Sequence, residues 1–160
     1  MNKAAVLQAV LKRLEKDLAL YAKAADSARA EATDEQSKAE NKYDTRGLEA
    51  SYLARGQSRQ ARETETAIEH FGALARQIGD TPLSSIGVGA LVELRIGREA
   101  AWYFFGPRAG GTEVTIDGTD VLVITPQSPL GQQLVGHRAG DKLKLDFGGQ
   151  STESRIVSVV

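Results

Sequence analysis

The side chains best supplied for chemistry are carboxylates, gathered in one polar stretch from about Thr33 to Arg46. Glu31, Asp34, Glu35, Glu40 and Asp44 stand there against Lys38 and Lys42. The chemistry on offer is that of paired oxygen donors, and it requires two carboxylates to converge. Glu40 and Asp44 share a face if the second of two flanking helices begins early, because i and i+4 are helical neighbours. Asp34 approaches them if the turn folds over. The residues alone do not choose between these pairs, nor between either pair and a charged, solvated turn. Other chemistry is poorly supplied. There is no cysteine, which removes disulfides, thiolate metal sites and a cysteine nucleophile. The two histidines, His70 and His137, are far apart in sequence and read as surface residues.

Two regular elements must carry that stretch. Leu7, Leu11, Leu14, Leu18, Tyr21, Ala25, Ala28 and Ala32 recur in steps of four and three. Ala50, Ala54, Gln57, Ala61, Thr64, Ile68, Phe71, Ala75 and Ile78 repeat the pattern. Each is a heptad stripe of roughly 40 Å at 1.5 Å per residue. Folding the chain back matches bulky residues at one end and alanines at the other. A parallel dimer would instead stack alanine on alanine over half its length and bury little apolar area. The expectation is a monomeric, antiparallel coiled-coil hairpin over residues 1–79, with its acidic tip near 33–46. Gly47 is unusual near a helix start, since glycine costs up to about 1 kcal/mol against alanine inside a helix. Arg55, Arg59 and Arg62, at i, i+4 and i+7, form a basic stripe on the second helix. It suits RNA or an acidic protein wall, although pairing with Asp26 or Glu31 of the first helix is the commoner arrangement.

The grammar changes near Gly79, at Gly79-Asp80-Thr81-Pro82; all four prolines and most glycines follow Gly79. Residues 80–160 read as a small, bent antiparallel sheet with one short helix, so the fold class is α+β. Strands are expected at Ala90–Ile96, Ala101–Phe105, Glu113–Ile116, Val121–Thr125, Lys142–Phe147 and Ser154–Val159. Asp117-Gly118 signals a two-residue hairpin turn with positive φ at both positions. Ser128 reads as a helix N-cap, Pro129 as the first helical residue, and Gly136 as the stop. Trp102, Tyr103, Phe104 and Phe105 lack interleaved cations and read as core rather than as a base-stacking platform.

Several strings resemble the Gre family of bacterial transcription elongation factors. Ile86-Gly87-Val88-Gly89-Ala90-Leu91-Val92-Glu93-Leu94 is similar to that family's first strand. Val123-Ile124-Thr125-Pro126-Gln127-Ser128-Pro129-Leu130-Gly131, with Leu134-Val135-Gly136 and Ala139-Gly140-Asp141, resembles its strand, Ser-Pro, helix and Gly-Asp stretch. Glu40-Asn41 followed by Tyr43 is similar to its tip motif. The resemblance spans nearly the whole chain.

The resemblance implies that residues 80–160 are FKBP-like, a fold like that of the FK506-binding proteins, and dock on RNA polymerase at the rim of its secondary channel. It implies that the coiled coil enters the channel. There, tip acids would help the polymerase hold a second Mg²⁺ and a water and so cleave backtracked RNA. Glu40, with Asp44 or Asp34, would be the assisting acids. Asn41, Tyr43, Ser128, Pro129 and Leu130 would be contact residues. Glu40 and Asp44 would be metal ligands only inside the polymerase complex, since Mg²⁺ prefers carboxylates and water. The chain would be no enzyme and hold no cofactor of its own. Nascent RNA is a further partner, and DNA binding goes with the transcriptional role. One departure matters: Ser37 stands where cleavage-competent members carry an aspartate, three residues before Glu40.

Composition is compatible with this. The net charge of −1 gives no global field toward nucleic acid or an anionic membrane. Charges at Lys12, Arg13, Glu15, Lys16 and Asp17 break up any secretory signal, and no run is long enough to span a bilayer, so a cytoplasmic location is expected. A polymerase regulator without cleavage and a coiled-coil adaptor unrelated to polymerase are the alternatives. Prolyl isomerase activity does not follow from an FKBP-like fold.

Overall fold

The computed structural model describes residues 1–33, 45–78 and 83–160. The boundary placed at residues 79 and 80 lies outside them. The described chain divides into two compact units: Met1–Lys12 with Glu69–Val160, and Arg13–Ile68.

The second unit is helical, formed by parts of α1 (Lys3–Thr33) and α2 (Arg46–Gln77). Ala25, Ala28, Ala50 and Ala54 are buried here, as the heptad stripes require. Side chains this small let two helix backbones approach closely. Thr64 is also on the stripe and is buried. Its hydroxyl is satisfied by donating to the Gln60 carbonyl at 2.8 Å, one turn back.

In the other unit the burial of α1 departs from the heptad stripe. Leu7 is buried as expected, but so are Val6 and Val10, each with no exposed surface, while Leu11 is only half-buried. A two-stranded seam covers a narrow stripe. Complete burial of Val6 and Val10 beside Leu7 covers a wider face of α1 than the heptad stripe alone.

The sheet has six strands: β1 (Leu91–Ile96), β2 (Glu99–Phe105), β3 (Glu113–Ile116), β4 (Thr119–Ile124), β5 (Lys142–Phe147) and β6 (Gln150–Val159). Their spatial order is β3-β4-β2-β1-β6-β5. The expected α+β class is what the chain adopts, but the sheet is mixed rather than wholly antiparallel. β2 and β4 pair in parallel, Trp102 opposite Val121 through Phe105 opposite Ile124. The cause is that β3 takes the edge and pairs with β4 alone. The chain reverses twice between β2 and β4, so the two run in one direction.

The local turns follow their residues. Asp117 and Gly118 sit at φ of 50° and 77° between β3 and β4, and Gly148 and Gly149 at 64° and 91° between β5 and β6. Burial at the sheet centre is two-sided. Val92, Leu94, Phe105, Ile124 and Ile156 pack on one face with Leu134 of α3 (Pro129–Leu134). Leu91, Phe104 and Val123 occupy the opposite face, where Phe71 of α2 meets Phe104. Of the aromatic run, Tyr103, Phe104 and Phe105 are core as expected, whereas Trp102 is half-buried. Burial raises the Tyr103 hydroxyl pKa above its ordinary value.

Candidate functional site

The acidic turn is where sequence places the chemistry, and Asp34, Ser37, Glu40, Asn41, Tyr43 and Asp44 all lie outside the described residues. Its flanks are described. Glu31 is exposed near the end of α1. The Thr33 hydroxyl donates to the Arg29 carbonyl at 3.0 Å, closing the last turn of that helix. On the other side the Thr45 hydroxyl donates to the Glu49 carboxylate at 2.8 Å. Glu49 is the acid of the first turn of α2, where the helix dipole favours negative charge. Among the described residues no three histidines or carboxylates come together as a metal site.

The described part of the helical unit holds a cationic groove of about 640 Å³. Arg55, Arg59 and Arg62 of α2 line it, and Arg29 of α1 joins them from the other helix, with Ser51 and Ser58 also on its wall. Sequence periodicity on one helix found three of these arginines; Arg29 enters only through the pairing of the helices. The expected pairing of this stripe with Asp26 or Glu31 does not form. Asp26 is engaged by Arg29 on its own helix at 3.4 Å, and Arg59 by Glu63 on its own helix at 2.8 Å. Each of these partners lies one turn away on the same helix face, so the local pair forms in preference to the long reach. Both pairs are exposed, so solvent screens them and neither adds much to stability. Among the described residues Arg55 and Arg62 have no ion-pair partner, and none of those lining the groove is a carboxylate. Such a groove can receive an anionic chain.

The second sequence-marked segment, Thr125–Gly131, is a rigid corner after β4. Ser128 is extended, at φ −67° and ψ 152°, and its Oγ accepts from the Gly131 N–H at 3.1 Å. The same hydroxyl donates to the Thr125 carbonyl at 2.7 Å. Gly131 has no room for a side chain, since an added Cβ would lie 1.9 Å from the Thr125 carbonyl oxygen. Ser128 is thus occupied in building the corner. Pro129 is exposed at the first helical position, and Leu130 packs in part against the core. Of Ser128, Pro129 and Leu130, Pro129 is the exposed one.

Both histidines have partners that spacing did not reveal. Arg108 Nε donates to His70 Nδ1 at 3.1 Å, and His137 Nδ1 lies 3.1 Å from Asp141 Oδ2. Asp141 also accepts from the Arg138 N–H at 3.0 Å. That backbone donor, with His137 second, holds the Asp141 carboxyl below the ordinary carboxylate range.

No protein-family model and no curated protein matches the chain. Among solved structures, the GreA factor homolog 1 (Gfh1) protein of Thermus thermophilus is similar at 23% identity, over 95% of each chain, with a TM-score of 0.37. Gfh1 of Thermus aquaticus is similar at 24% identity, over 95% of this chain and 94% of its own, with a TM-score of 0.40. The prokaryotic transcription elongation factor GreA/GreB from Nitrosomonas europaea is similar at 19% identity. That match covers 70% of this chain and 93% of its own, with a TM-score of 0.35.

Proposed function

We propose that this chain is a transcription factor of the Gre type that binds RNA polymerase. The observation that carries the reading is the Thr125–Gly131 corner. The string that resembles the Gre family's Ser-Pro stretch forms a strand, a capped turn and a short helix, in a chain whose first half is two long helices. In this reading the β domain docks at the rim of the polymerase secondary channel, with exposed Pro129 as a contact. The acidic turn reaches the polymerase active site. The cationic groove of Arg29, Arg55 and Arg62 faces an acidic wall or nascent RNA. The chain is not itself an enzyme.

The donor set of the turn fits Mg²⁺, because its candidate ligands are hard carboxylates with no sulfur among them. Glu40, with Asp44 or Asp34, would hold the ion in the polymerase complex, where it would supply charge neutralisation and an activated water. Ser37 favours a second reading: a polymerase regulator without cleavage. An adaptor for some other protein is the alternative outside transcription.

Co-purification with core RNA polymerase, competed by a known secondary-channel ligand, tests the reading. Specific, competed binding is expected; its absence leaves the adaptor. RNA cleavage in stalled complexes then separates the two polymerase readings. A cleavage factor loses activity on Glu40→Ala and on Asp34→Ala or Asp44→Ala. A regulator without cleavage changes pausing or initiation and yields no shortened RNA.

A further inference from the structure

On the sheet, three cations stand directly opposite one another on three adjacent strands. Arg95 of β1 is opposite Arg155 of β6, and Arg155 is opposite Lys142 of β5. Directly opposed residues share a face, so the three form a row across the sheet. Strand spacing of about 4.8 Å makes that row roughly 10 Å long. Lys144, two residues along β5, extends it, with Glu153 opposite as the single acid. All four cations are exposed and line one open groove of about 520 Å³. Among the described residues none of their side chains has a hydrogen-bond or ion-pair partner.

This row is a product of the fold. The register of β1 on β6 shifts between Glu93 and Leu94. The bulge sets Val157 aside, so that Ile156 meets Leu94 in the core and Arg155 meets Arg95 outside. Without it Ile156 would face Arg95. Like charges placed directly opposite weaken a sheet. Edge defence explains lysines on β5, which is an outer strand. It does not explain Arg95 and Arg155 on the interior strands β1 and β6.

We propose that Arg95, Arg155, Lys142 and Lys144 form a contact site for the phosphate backbone of duplex DNA. An open row suits a chain of anions better than a single small one, because small-ligand sites enclose most of the ligand. Single-strand sites combine cations with aromatic stacking surfaces. Among the described residues no aromatic lines this groove, and Trp102, on the same face of the sheet, borders a separate one. Contact through phosphates alone is independent of base sequence and strongly salt-dependent. The site does not depend on the polymerase reading.

The test is fluorescence anisotropy of the full chain with a labelled 20-base-pair duplex. Four phosphate contacts give a slope of about −3.6 in log K against log salt, so affinity falls roughly 150-fold between 50 and 200 mM salt. Combined Arg95→Gln, Arg155→Gln and Lys142→Gln should weaken binding at least tenfold at 50 mM and flatten that slope to about −0.9. The variant should melt no lower than wild type, since it removes opposed like charges; Lys142→Gln with Lys144→Gln on the edge strand gives a milder second variant with an intermediate slope. Arg55→Gln with Arg59→Gln and Arg62→Gln reports on the helical groove and should retain the sheet's contribution. Wild-type behaviour of the sheet variant, or loss of all binding in the helical variant alone, overturns the proposal. So does tighter binding of a single strand than of the duplex, or displacement by tripolyphosphate at equal phosphate concentration.

Discussion

Phe71 of α2 and Phe104 of β2 meet with ring centroids 6.2 Å apart and planes tilted by 31°. Both are fully buried. Gly106, just beyond β2, keeps the space open: an added Cβ would lie 2.7 Å from the Phe71 ring and 2.8 Å from Val123. A residue on the helical stripe thereby serves the sheet. Truncating Phe71→Ala removes a large buried side chain and its aromatic contact. A loss of about 3–5 kcal/mol is expected, read as a lower urea midpoint. An effect under about 1 kcal/mol would mean that the contact is not part of the folded core.

The middle of α2 should be improvable. Gly56 is exposed in the helix interior, and an added Cβ would meet nothing within 4 Å. Gly56→Ala should stabilise the helical unit by about 0.5–1 kcal/mol, through reduced backbone freedom in the unfolded chain. Urea unfolding followed by the helical circular dichroism signal measures it, and a destabilised variant would show that the site is closed by another surface.

The corner at Ser128 makes two unequal predictions. Ser128→Ala removes an N-cap and should cost about 1 kcal/mol. Gly131→Ala puts a methyl group into the Thr125 carbonyl and should cost more, because backbone must move. Calorimetric melting of both variants checks the order; a milder Gly131→Ala would mean that the corner is pliable.

Asp141 links stability to acid. Its carboxyl is held low first by the Arg138 N–H and then by His137. A folded value below the unfolded one, near 3.9, contributes stability in full above that pH. The contribution is lost as pH falls through the folded value. The stability gap between wild type and Asp141→Asn should therefore narrow as pH drops from about 4 towards 3. Urea midpoints at pH 5, 4 and 3 test the sign, which fails if the gap holds constant or widens.

Where a structural choice depends on adjacent residues, the amino-acid sequence was enough. Asp117-Gly118 turns with positive φ because a short hairpin demands it, and the strands on either side follow. Ser128 caps α3 because its hydroxyl reaches Gly131 three residues on. The alanine stripes declare two long helices with a slim seam, and heptad spacing alone predicts the burial of Ala25, Ala28, Ala50 and Ala54. Two carboxylate pairs around Glu40 are as far as residue types go at the acidic turn, since convergence depends on chain path.

Long-range pairing was decided elsewhere. Nothing near β2 or β4 says that they will run parallel; that follows from β3 taking the sheet edge. Val6 and Val10 lie off the heptad stripe, and only the tertiary fold buries them. Arg29 joins Arg55 and Arg62, and Arg155 joins Arg95, across separations that no local pattern encodes. Local signals act through a few bonds of shared backbone, whereas these juxtapositions depend on how whole elements pack. The sequence by itself determined the elements and their turns; only the tertiary structure decided which charges face one another.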